Sequence, residues 1–60
     1  MNTIFICADE LFRNGTTTVN ENDIDAVIEK VKTWKFNDEA YTFGVALFGN
    51  GLAEIDIIEV

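Results

Sequence analysis

The chain has 60 residues, eleven of them acidic and four basic, for a net charge of −7, with no histidine, no proline and one cysteine, Cys7. That inventory excludes a disulfide framework and the usual zinc sites. It also weighs against direct nucleic-acid binding, because phosphate repels an acidic surface, and against attachment to an acidic membrane surface. The partner such a charge attracts is a protein with a basic, nucleic-acid-binding surface.

A hydrophobic fraction of 48%, with five Phe, one Trp and one Tyr, is enough for one small packed domain over residues 1–60. Domains of this size are stabilised by only about 3–5 kcal/mol. The start MNTIFICADE lacks the basic n-region of a signal peptide. No apolar run approaches the roughly 20 residues of a membrane span. With a lone reduced cysteine, the expected location is the cytoplasm, that of the host bacterium if the chain is phage-encoded.

In chain order, residues 3–12 read as a first strand, rich in β-branched and aromatic side chains at Ile4, Phe5 and Ile6. Asn14-Gly15 is a tight-turn dipeptide, and Thr16, Thr17, Thr18 and Val19 suit a short returning strand. The segment NENDIDAVIEKVKTWK, residues 20–35, is the clearest element. Its Ile24, Val27, Ile28, Val31 and Trp34 form the apolar stripe of an amphipathic helix. Asn20 is the expected N-cap, with Asn22 as competitor, and Lys30, Lys32 and Lys35 complement the dipole at the far end. Residues 36–39, Phe-Asn-Asp-Glu, break the pattern and read as a loop.

Tyr41 opens a second long strand running to Phe48, Gly49-Asn50-Gly51 turns it, and residues 52–60 return. In that last strand Ala53, Ile55 and Ile57 alternate with Glu54 and Asp56, the signature of a strand buried on one face. The expected fold is α+β: an antiparallel sheet of three to four strands with a single helix packed on one face. Its expected core is Ile4, Ile6, Ile24, Val27, Ile28, Val31, Phe43, Val45, Ile55 and Ile57.

Chemistry has little to work with. The Asn20–Asp25 segment resembles the start of a calcium loop, but Ile24 interrupts the ligand pattern and the loop glycine is missing, so a capped helix start is the better reading. Gly49-Asn50-Gly51 joins two strands and does not cradle phosphate. Cys7 sits in an apolar setting that disfavours reactivity. Glu54 and Asp56 could exchange protons, yet so small a domain lacks the cleft that acid–base catalysis needs. No enzyme activity, metal or cofactor is expected.

The acidic pattern is more informative. Glu54 and Asp56 project from one face of a strand, about 6.6–7 Å apart. Asp9 and Glu10 sit at the end of the first segment, and Asp38 and Glu39 in the loop. Such rows either solvate a sheet or imitate a phosphate backbone. Phe12 and Phe48, with no obvious place in the core, add the exposed aromatics of an interface. Asp9, Glu10, Phe12, Phe48, Glu54 and Asp56 are therefore the candidate partner-binding residues.

Phe12-Arg13-Asn14, Ala46-Leu47-Phe48 and Leu52-Ala53-Glu54-Ile55-Asp56 together resemble the T4-type phage antitoxins known as discriminators of mRNA degradation, small acidic inhibitors of host defence. The resemblance leaves out the helix, and Gly49-Asn50-Gly51 departs from the pattern, which leaves the target open. It implies a stoichiometric inhibitor that binds a host nucleic-acid-processing protein, such as a toxin endoribonuclease, and blocks its nucleic-acid site. The alternative is a self-associating structural or accessory protein, a homo-oligomer formed through exposed sheet edges and aromatics.

Overall fold

The computed structural model describes residues 2–34 and 41–59. Two helices and a three-stranded antiparallel sheet follow in the order α1 (Thr3–Asn14), β1 (Thr16–Asn20), a 3-10 turn (Glu21–Asp23), α2 (Ile24–Trp34), β2 (Tyr41–Leu47) and β3 (Leu52–Glu59). The α+β class is as expected, but the described residues hold two helices where one was expected.

The added helix is the segment expected to be the first strand. Its ends are well formed. The Asn2 side chain accepts from the Phe5 N–H at 3.2 Å, and Gly15, at φ 82°, closes the far end by donating its N–H to the Leu11 carbonyl at 2.9 Å. A left-handed residue suits glycine alone at little cost, so Asn14-Gly15 ends a helix here and does not turn a hairpin. Ile4, Cys7, Ala8 and Leu11 supply a stripe at i, i+3, i+4 and i+7, with Ala8 and Leu11 fully buried. Helical periodicity and tertiary packing override the β-leaning composition of Ile4-Phe5-Ile6.

β1 forms as expected but does not pair with residues 3–12. It pairs with β3, Thr17 opposite Ile55 and Val19 opposite Ala53, while β2 flanks the other side of β3 with Val45 opposite Ile55. The sheet order is β1-β3-β2, so the last strand in sequence is the central one. Asn20 ends β1 and caps the 3-10 turn, its side chain accepting from the Asn22 N–H at 2.9 Å, so α2 begins at Ile24 and not at residue 20. Lys35 and the expected loop at residues 36–39 lie outside the described residues.

The turn between β2 and β3 is as read: Gly49 and Gly51 are left-handed at φ 84° and 88°, and Asn50 accepts from the Leu52 N–H at 3.2 Å. α1 packs on β1 and β3, and α2 packs mainly on α1, which makes one helical layer on one face. Between the layers lie Ala8, Leu11, Val19, Val27, Val31, Ala53 and Ile55, with Ile4, Ile24, Ile28, Phe43 and Ile57 at the margin. Two expected core residues are misplaced. Ile6 is on the wet side of α1, and Val45 lies on the inner sheet face where the helices do not reach.

Candidate partner-binding surface

Alternation along the strands decides which side chains share a face. From the register, the inner face carries Thr17, Val19, Phe43, Val45, Leu47, Ala53, Ile55 and Ile57. The outer face, which neither helix covers, carries Leu52, Glu54, Asp56 and Ile58 along the central strand. Glu54 lies between Thr18 and Ala46, and Asp56 between Thr16 and Gly44. Both carboxylates thus rise from a floor of short side chains. Leu52 and Ile58, each at least 40% exposed, bracket them. Ile58 leans over Gly44, its Cδ1 3.0 Å from where a Cβ would stand.

The two carboxyls act on each other. Protonated Glu54 hydrogen-bonds to the Asp56 side chain, and the Asp56 charge and partial burial act in the same direction, so the Glu54 pKa is raised from its ordinary 4.5. Ionised together, the two repel. A cation from a partner, placed over the pair, relieves that repulsion.

The six candidate residues divide into two groups. Glu54 and Asp56 share the outer face, and the alternation of β2 carries Phe48, whose N–H donates to the Leu52 carbonyl at 3.0 Å, to the same side beside Leu52. Asp9, Glu10 and Phe12 belong to α1, in the layer on the opposite side of the sheet. Asp9 accepts from Arg13 Nε at 2.9 Å one helical turn on, a solvated pair worth about 0.3–0.5 kcal/mol. Glu10 accepts from the buried Thr17 hydroxyl at 2.6 Å, a bond that fastens α1 to β1. Phe12 stands edge-on to Trp34 at 5.8 Å, so it has a packing partner that the strand reading denied it. Asp38 and Glu39 lie outside the described residues.

Leu52 and Ile58 were missed as surface residues, although the alternation that exposes Glu54 and Asp56 also exposes them. Phe5, edge-on to Trp34 at 5.6 Å, was missed because the i, i+7 pair Phe5 and Phe12 shares a face only on a helix. Cys7, half-buried on α1, points its thiol at the Thr18 carbonyl, 3.7 Å away. Among the described residues no three His, Cys, Asp or Glu side chains converge as a metal site, and no helix is long and apolar enough to cross a membrane. Compared with known protein families, curated proteins and solved structures, the chain matches none.

Proposed function

We propose that this protein is a stoichiometric inhibitor of the phage antitoxin or anti-defence type, whose outer sheet face occupies the basic groove of a nucleic-acid-processing protein such as a toxin endoribonuclease. The observation that carries this reading is the Glu54–Asp56 pair on the face of the central strand that neither helix covers, bracketed by exposed Leu52 and Ile58. Paired carboxylates steer a basic surface in, and the apolar flanks hold it once water is expelled. The net charge of −7 adds long-range attraction. No chemistry by the protein itself is required, because occupying the groove is enough to exclude RNA or DNA.

The test is capture from bacterial lysate followed by an activity assay on what is recovered. The expected result is a nuclease or polymerase component whose activity on nucleic acid falls to zero at one molar equivalent. The combined Glu54→Gln and Asp56→Asn variant should bind it with a slower on-rate and a flatter salt dependence. Leu52→Ala or Ile58→Ala should instead raise the off-rate, by about thirtyfold if the residue is a 2 kcal/mol anchor. Recovery of nothing but the protein itself, at both low and moderate salt, overturns the proposal.

A further inference from the structure

The edges of the sheet differ in a way that identifies a second surface. Backbone bonds from Ile57 N–H to the Gly15 carbonyl and from Phe48 N–H to the Leu52 carbonyl fix the ladder on each side of β3. In an antiparallel ladder, paired and outward-facing residues alternate. The even-numbered residues of β2 therefore bond to β3, and the N–H and C=O groups of Phe43, Val45 and Leu47 point away from the sheet. No described strand lies beyond them. The side chains of the same residues lie on the inner face: Phe43 still packs at the margin of the core, while Val45 and Leu47, past the end of the helical layer, are 47% and 64% exposed.

An open edge with unpaired backbone groups and exposed apolar side chains is a template for another strand. We propose that the occupant is a second copy of this chain, paired antiparallel through β2 about a twofold axis at Val45. In that register Val45 meets Val45 of the second copy, and Phe43 meets Leu47 of the second copy. The pattern is its own complement. Charge favours the same occupant: between Glu39 and Glu54 the sequence has no charged residue, the longest such run in a chain of net charge −7. A basic partner gains nothing from this strip, whereas two acidic copies can meet there without opposing carboxylates. Gly49 and Asn50 at the nearby turn add no charge either.

The resulting six-stranded sheet keeps both helical layers on one side. The two Glu54–Asp56 pairs fall on the other side, level with each other and about 14 Å apart, three strand spacings of about 4.8 Å. This inference rests on the β2 edge and not on the proposed inhibitory role, so either can fail alone.

Sedimentation equilibrium up to about 1 mM, the weak end of specific association, should show a reversible dimer that tightens with added salt as like charges are screened. Val45→Lys should sediment as a monomer while keeping the parent's circular dichroism and melting curve. A second measurement does not depend on that variant folding. In a Cys7→Ser background, Val45→Cys should oxidise to a covalent dimer, because directly opposed Cα atoms lie about 5.5 Å apart, within disulfide reach. Thr18→Cys on the other edge should not. A monomer at every concentration, a dimer that Val45→Lys leaves intact in a folded protein, or equal cross-linking from both edges overturns the proposal. So does a monomer that takes up only extended peptides of other sequence.

Discussion

β1 and β2 flank the same central strand, and by composition β2 is the more apolar, yet β1 is the better buried. Thr17 and Val19 are each 3% exposed, while Val45, which faces the same Ile55 from the other side, is half open to solvent. Connectivity accounts for this. Gly15 alone separates α1 from β1, so the helix must lie back over the strand it feeds. The Glu10–Thr17 bond and the Cys7 thiol at the Thr18 carbonyl then secure that edge. β2 has no such neighbour among the described elements. Burial here follows from where the helical layer is anchored more than from side-chain hydrophobicity, and a roofed edge is protected while a bare one is available.

The largest expected effect comes from truncating Ile55 and Val45 separately. Ile55→Ala empties a fully buried position and should cost about 2–5 kcal/mol, comparable with the stability of a domain this small. Val45→Ala, directly opposite, should cost no more than about 0.5 kcal/mol. Urea unfolding at low protein concentration measures both, and equal losses would mean that β2 is covered after all.

A smaller effect tests the junction that sets the roof over β1. Nothing lies within 4 Å of a Cβ added at Gly15, so any penalty for Gly15→Ala comes from its φ of 82°. That penalty should be about 1–2 kcal/mol, read as a lowered denaturation midpoint with an unchanged urea dependence. No loss of stability would show that α1 can leave β1 by another route.

The smallest expected effect lies on the outer face, which no helix covers. A carboxyl with a raised folded-state pKa binds its proton more tightly when folded. Its stabilising contribution is full below the unfolded pKa and is lost as pH rises through the raised value. The parent should therefore gain melting temperature relative to Glu54→Gln as pH falls from 7 toward 4.5. A gap between the two that does not change with pH would mean that the carboxyls act independently.

β3 and α2 were legible in the sequence because each is buried on one face and wet on the other, which imprints a clean period on Ala53, Ile55 and Ile57 and on Ile24, Val27 and Val31. In α1 two patterns compete. Ile4, Ile6 and Ala8 alternate as in a strand, while Ile4, Cys7, Ala8 and Leu11 recur as in a helix, and β-branched composition tips the local reading the wrong way. The deciding signals were the caps, Asn2 before the run and Gly15 after it. From the candidate surface, Glu54, Asp56 and Phe48 were legible because alternation alone places them. Asp9, Glu10 and Phe12 were grouped with them by charge and aromatic character alone, and only the helical layer on the other side of the sheet separates them. Val45 had no local signal of exposure, since its environment depends on how far a layer built from distant residues extends.

The sheet order also has a consequence for how the sheet can come apart. Among the described strands, β1 and β2 each pair with Leu52–Glu59 and not with each other. Fraying of either outer strand therefore leaves the other pair intact, whereas loss of the central strand removes both ladders at once and leaves two uncharged strands without partners. The sheet thus has two graded ways of opening at its edges and one all-or-none way at its centre.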